Sequence, residues 1–385
     1  MTNMRYLIQF PAGTGDLVID AISPYADSVK VHYRDDSAMI FDSASPENKV
    51  ADIPFAKNCF VVVASTPRGS IDKGVNQLSR MAGAAKFPAS SSRTPRFRTM
   101  IQIDGELSSV DQRTKTALER AISTKTGQRV EPRGMCQEYW VIGRLDLGEL
   151  LLCVRLPKQK RPPKAKGALS YELSSMLVAA SRPSARDVFL DPFAGSGAFV
   201  LARLDSPAQK IWYSDLDLRK FEREFPRELS ADKRVGFLKD DALSLTSVPD
   251  GRVDVVVTDP PWGEHEDVGM PYDEFARAMV KSFDRVLRTP GGRFVVLTSR
   301  RTAPAVENAF VDGGFTVNST HEILVNGHPA TVFIGGRRSA APAGRQPKSQ
   351  PESRPEREPK SQPEGRPPAA RRMKVKVSTL SSGKR

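Results

Sequence analysis

Residues 188–197 read VFLDPFAGSG: a short apolar strand, Val188-Phe189-Leu190, that ends on an acid and enters a loop with glycines at 195 and 197. Glycine adopts backbone angles that other residues resist, so the chain can turn sharply there and let a ligand approach the strand tip. A helix starting near Ala198 presents free N–H groups to the same place. Downstream the pattern repeats. Ile211-Trp212-Tyr213 is followed by a helix from Leu218, and then by Val235-Gly236-Phe237-Leu238. Val253 to Val257 forms the next strand, followed by a helix from Tyr272 to Leu287, a strand at Arg293 to Leu297 and a helix at 303–312. Strands near 315–323 and 330–334 can pair as a hairpin around Asn326-Gly327. Strands alternating with helices predict a parallel sheet and an α/β domain.

Upstream the pattern is different. Tyr6 to Phe10, Val29 to Tyr33, Ala38 to Phe41, Phe60 to Val63, Thr99 to Ile103, Tyr139 to Ile142 and Leu150 to Leu156 read as strands. Helices fit a stretch ending at Ile22 and the segment Asp111 to Ser123, so this half is an α+β module. The small and polar residues around 89–95 mark a connection. PKQKRPPKAK at 157–166 reads as a basic linker to the α/β half.

The chain has 385 residues, long enough for two or three domains, and a net charge of +13. Most of that charge is local: residues 337–385 carry 14 Lys/Arg against 4 Asp/Glu and 8 of the 30 prolines. They also contain the repeat KSQPESRPE (348–356) and KSQPEGRPP (360–368). Such a segment buries too little apolar surface to offset its ordering entropy, so a disordered basic tail is expected. Its cluster Arg371-Arg372-Met373-Lys374-Val375-Lys376 suits polyphosphate. No stretch approaches the ~18 apolar residues of a membrane span, and the start lacks the pattern of a secretory signal. Cys59, Cys136 and Cys153 are dispersed, and His32, His265, His321 and His328 show no ligand spacing. Neither a disulfide framework nor a metal site is expected, and a cytoplasmic setting fits.

The candidate site lies where the strands of the second half end. Asp191 at the first tip can accept from a cationic ammonium, whereas a pyrophosphate favours GxGxxG and no acid. Asp215 at the second tip is placed to bind ribose hydroxyls, and Asp241 after the third to accept from an adenine amino group. The fourth strand runs into TDPPWG at 258–263. Two adjacent prolines fix φ and remove two donors, so both of their carbonyls are expected to point into the site. The Asp259 carboxylate and the Pro260 carbonyl can both accept from one planar –NH₂ group, and Trp262 offers a face for a stacked base, worth ~1–3 kcal/mol.

In this order, DPFAGSG, YSD, DDA and TDPPWG resemble the motifs of class I S-adenosylmethionine-dependent methyltransferases. The closer resemblance is to the THUMP-associated tRNA guanine-N2 methyltransferases and the related large-subunit rRNA methyltransferases. It covers about residues 165–336. Lys166-Gly167-Ala168-Leu169-Ser170 is similar to the family's upstream motif at the methionine end of the cofactor. The family often has His where Ser170 stands and Tyr where Trp262 stands. The first half is similar to a ferredoxin-like segment followed by a THUMP RNA-binding domain, on Glu138-Tyr139-Trp140-Val141-Ile142 and Arg155-Leu156.

The resemblance implies a seven-stranded Rossmann-like class I methyltransferase domain at 165–336. It would be preceded by a ferredoxin-like segment at 1–90 and a THUMP-like RNA-binding region at 91–160, and followed by the disordered tail at 337–385. Ala168, Asp191, Phe193, Gly195, Gly197, Asp215 and Asp241 would bind S-adenosylmethionine. Asp259, Pro260, Pro261 and Trp262 would hold an exocyclic amine, foremost guanine N2, of tRNA or rRNA. Alternatives with the same loop are a DNA adenine-N6 methyltransferase and a protein-glutamine methyltransferase, the latter usually with Asn at position 259. A non-catalytic RNA-binding protein on the same fold is a further alternative. Nothing in the sequence sets the oligomeric state.

Overall fold

The computed structural model describes residues 3–88, 95–131, 133–134, 136–158, 168–218, 227–264 and 267–337. The tail beyond Arg337, most of the linker at 157–166 and His265 lie outside the described residues.

Among the described residues the first half contributes nine strands: β1 (Met4–Gln9), β2 (Lys30–Arg34), β3 (Ala38–Ser43), β4 (Asn58–Pro67), β5 (Arg96–Ile103), β6 (Glu106–Leu107), β7 (Arg129–Val130), β8 (Gln137–Gly143) and β9 (Glu149–Arg155). Its helices are α1 (Val18–Ile22), α2 (Glu47–Ala51), α3 (Ile71–Ala82) and α4 (Gln112–Thr126). All nine strands join one sheet, in the order β2-β3-β1-β4-β9-β8-β5-β6 with β7 beside β5. The antiparallel pairing of β4 with β9, Phe60 opposite Arg155, carries the sheet from the first segment into the second.

This sheet is curled. Gln9 of β1 donates to Gln102 of β5 at 2.5 Å although three strands lie between them. In a flat sheet those strands would stand ~19 Å apart. Arg144 likewise reaches Asp35 and Ser37 at 2.7 Å. The concave face holds Leu7, Ile40, Phe60, Trp140, Ile142, Leu151 and Cys153. On the convex face α3 and α4 pack on Phe97, Ile101, Tyr139, Val141, Leu152 and Val154. Burial on both sides explains why β8 and β9 read as continuous apolar runs rather than alternating ones. Asp111 caps α4 by accepting from the Arg113 and Thr114 amides, and Gly127 at φ 74° ends it.

The second half contains β10 (Val188–Asp191), β11 (Lys210–Asp215), β12 (Val235–Lys239), β13 (Val255–Thr258), β14 (Arg293–Ser299), β15 (Phe315–Val325) and β16 (His328–Arg337). Its helices among the described residues are α5 (Tyr171–Ala180), α6 (Ala198–Leu204), α7 (Arg227–Ala231), α8 (Tyr272–Val286) and α9 (Ala303–Asp312). The strand order is β12-β11-β10-β13-β14-β16-β15, parallel except for β16, which runs antiparallel to both neighbours. This is the mixed seven-stranded sheet of the class I methyltransferase fold. The hairpin falls at Asn326-Gly327, both with positive φ, and its strands run two and five residues longer than their apolar runs suggest. β13 begins at Val255, two residues later than its apolar run, because Val253 makes only an isolated bridge to Leu287.

Two apolar clusters cover this sheet. Val256, Phe294 and Val296 face Phe275, Met279, Phe283 of α8 and Val306, Phe310 of α9. The alternate residues Val255, Val257, Val295 and Leu297 belong to a cluster with α5, α6 and also Tyr6, Ile8, Val18, Met39 and Phe41 of the first half. Each large side chain taken fully from water contributes about 1.5–3 kcal/mol. Gly13 lies against β15, where an added Cβ would come within 2.6 Å of the Glu322 carbonyl. At the end of β10 away from the glycine loop, buried Asp187 accepts from Arg203 at 3.2 Å and Arg293 at 2.6 Å. No helix among the described residues is long and apolar enough to cross a membrane.

Candidate active site

The order β11-β10-β13 sets three acidic strand tips side by side: Asp215, Asp191 and Asp259. Neighbouring strands stand ~4.8 Å apart, so these carboxylates feel one another.

Asp191 is 1% exposed. One of its oxygens accepts from the Thr258 hydroxyl at 2.7 Å and from the Phe193 amide at 3.3 Å. Burial pushes its carboxyl up to about 8; those two hydrogen bonds pull down, and the charges of Asp215 and Asp259 add to the rise. Asp215 organises the glycine loop: it accepts from the Gly195 amide at 2.9 Å and from the Asp217 amide at 3.0 Å. The Tyr213 hydroxyl donates to the Gly195 carbonyl. Gly195 has φ 50° and Gly197, the N-cap of α6, φ 76°. A Cβ on Gly197 would meet Leu229 at 2.7 Å, so both conformation and space require glycine there.

The other cofactor candidates are spread more widely. Phe193 packs its ring 5.9 Å from Phe275 of α8. Asp241 is exposed and accepts from the Leu243 amide at 2.9 Å. Its buried neighbour Asp240 builds that loop, accepting from the amides of Asp241, Thr246 and Ser247 and from the Thr246 hydroxyl. These bonds hold its carboxyl below the usual range against burial. Ala168 is half-buried two residues before Ser170, which caps α5 by accepting from the Leu173 amide at 3.2 Å.

The Asp259–Gly263 loop is held by side chains. The Trp262 indole N–H donates to Asp259 Oδ1 at 2.7 Å, so the flat face and the carboxylate are one rigid unit. The proline carbonyls do not both face a target: Pro261 accepts from the Tyr272 hydroxyl at 3.1 Å. Gly263, at φ 66°, lies under the Tyr272 ring, where a Cβ would come within 2.8 Å. Arg301 donates to the Gly263 carbonyl and to Glu264, both at 3.2 Å. Tyr272 and Arg301 had no sequence signal for this role; Tyr272 read only as a helix start. Arg300 pairs with Glu322 at 2.9 Å. Exposed Leu216, directly after Asp215, is a further candidate wall for an aromatic ligand.

Trp140 packs in the core, 5.6 Å from the Phe60 ring, with its N–H on Glu138. Glu138 also accepts from Arg98 and Arg155. Cys153 is buried, while Cys136 is only half-buried.

These features define a class. Residues 207–327, within the second half, match the family profile described as RMKL-like, methyltransferase domain. No curated protein sequence matches the chain. Among solved structures, the chain is similar to TrmN from Thermus thermophilus, with 22% identity and a TM-score of 0.66 over 87% of this chain and 100% of that one. It is also similar to a candidate methyltransferase complexed with SAH (12%, TM-score 0.58, 88% and 99% covered). A third is a predicted N6-adenine-specific DNA methylase from Listeria monocytogenes (14%, 0.56, 88% and 97%). These likenesses extend across both halves and concern the fold.

Proposed function

We propose that this methyltransferase uses S-adenosylmethionine to methylate an exocyclic amine of an RNA base, foremost guanine N2, in tRNA or rRNA. The observation that carries the reading is the Trp262–Asp259 unit, built on the strand tip next to Asp191 and one strand further from Asp215. The donor set suits a cation: Asp215 and Asp259 both raise the Asp191 carboxyl, and a bound ammonium or sulfonium relieves that repulsion.

When bound, S-adenosylmethionine supplies an electrophilic methyl on a sulfonium. Asp191 and the glycine loop would hold its amino-acid end near Ala168, Asp215 its ribose hydroxyls, and Asp241 with Leu216 its adenine. Opposite them, the indole of Trp262 takes the target base on its face. Asp259 and the Pro260 carbonyl accept from the amine, aligning its lone pair with the methyl. A nitrogen held in this way would receive the methyl that the cofactor supplies. Asp259 stabilises the positive charge that develops on nitrogen, and the proton then leaves to water or carboxylate. A base inside a helix cannot reach this loop, so the target is flipped or single-stranded.

RNA as substrate is supported by the ferredoxin-like and THUMP-like resemblance of 1–90 and 91–160, and by exposed Arg96 and Arg129 at paired positions of β5 and β7. The basic tail at 337–385 adds cationic charge, and a cytoplasmic setting agrees with such a substrate. Nucleoside mass spectrometry of tRNA, rRNA and genomic DNA from deletion and parental strains tests this. Loss of one methylated guanosine from RNA is expected. Loss of N6-methyladenine from DNA alone would assign the alternative, a DNA adenine methyltransferase.

A further inference from the structure

A line of hydroxyls runs into the catalytic loop from behind. The Tyr272 phenol donates its single proton to the Pro261 carbonyl at 3.1 Å. In the 3.3 Å contact between Tyr272 and Thr298, the proton therefore comes from Thr298. Thr298 lies 3.0 Å from Thr302, whose hydroxyl also has the Ser299 carbonyl within reach at 3.4 Å, and Thr302 lies 3.1 Å from the Ser299 hydroxyl. Thr298, Ser299 and Thr302 are 0%, 1% and 9% exposed. The line ends on the Pro261 carbonyl, and hydrogen bonds joined in such a line polarise one another. The same tyrosine ring covers Gly263, so Tyr272 braces the residues on both sides of Trp262.

We propose that Tyr272, held by Thr298 and Thr302, is a positioning residue for methyl transfer. By fixing Pro261 and Gly263 it fixes the indole between them and, through the indole N–H, the orientation of the Asp259 carboxylate. The inference rests on the role proposed above for that loop. It assigns Tyr272 no contact with the reacting atoms.

The test uses the full-length protein labelled with ¹⁵N in its three tryptophans, Trp140, Trp212 and Trp262. Trp262→Phe assigns the Trp262 indole signal. Tyr272→Phe keeps the ring on Gly263 and Phe275 and removes only the hydroxyl; Thr302→Val breaks the line one step back, and Thr302→Ser keeps it. In Tyr272→Phe and Thr302→Val the Trp262 indole N–H should exchange about 10-fold faster while the other two stay as they are. With S-adenosylmethionine and bulk RNA from a deletion strain, kcat should fall ~10–100-fold, the range expected for a misplaced reacting group. The KM for the cofactor should stay within about 2-fold, and Thr302→Ser should match the parent. Unchanged indole exchange in Tyr272→Phe overturns the proposal, as does a loss confined to cofactor KM or equal losses in Thr302→Ser and Thr302→Val. If the parental protein methylates no RNA, the substrate reading fails, and indole exchange still decides the role of Tyr272.

Discussion

The glycine loop after β10 and the Asp259–Gly263 loop after β13 sit on adjacent strands and are built differently. The first is held by its own backbone and the next strand tip: Asp215 takes the Gly195 amide, Ser214 the Ala194 amide and Ala194 the Gly197 amide. The second is held by side chains that arrive later in the chain, namely Trp262, Tyr272 and Arg301. A loop fixed by backbone and glycine can bind but has little to adjust. A loop fixed by side chains can be tuned for the group it positions. Cofactor binding and methyl transfer should therefore respond separately to mutation.

The sharpest test of that separation is Asp259→Ala. Losing one electrostatic partner of a developing charge typically costs about 10²–10³ in kcat, and cofactor affinity should stay within about 2-fold by calorimetry. Retention of parental turnover would remove Asp259 from the mechanism. On the other side, Asp215→Ala should raise the cofactor Kd by about 10–100-fold, since hydrogen bonds to a charged group contribute ~1.5–3 kcal/mol. At saturating cofactor, kcat should stay near parental. An equal loss in kcat would mean that the two loops act as one.

A third test concerns charge. With the Asp191 carboxyl at about 8 rather than 3.8, the folded protein keeps a proton between about pH 4 and pH 8 that the unfolded chain has lost. Free of cofactor, stability should thus fall as pH rises through that window, by at most ~1.4 kcal/mol per pH unit. Asp191→Asn should flatten the curve, and cofactor should stabilise the parent more at pH 8 than at pH 6. Parallel melting curves for parent and variant would refute the assignment. The smallest effect belongs to Gly197→Ala: a left-handed residue facing Leu229 should cost about 1–2 kcal/mol, read as a lower denaturation midpoint.

Much of the second half was legible in the sequence because its signals are local. Glycines, acids at strand ends and the Pro-Pro pair each state a backbone need within a few residues. What the sequence left dark was contact over distance. Nothing near Tyr272 shows that it meets Pro261, 11 residues away, or that it reaches Thr302 through Thr298. In the first half, strands were visible as apolar runs, but the curl that brings Gln9 to Gln102, 93 residues away, depends on pairings between strands distant in the chain. The expectation that both proline carbonyls face a target failed for the same reason: the competing donor sits on the next helix.

The apolar cluster shared by Tyr6, Ile8 and Met39 with Leu173, Val255 and Val332 has a consequence for how the molecule handles anything long enough to touch both of its parts. Oil-like surface joined across a seam does not let its two sides swivel. Under the proposed function, a strand gripped at one end would always arrive at the slot with the same number of ångströms already used up. Under that function the protein would be a ruler as much as a catalyst.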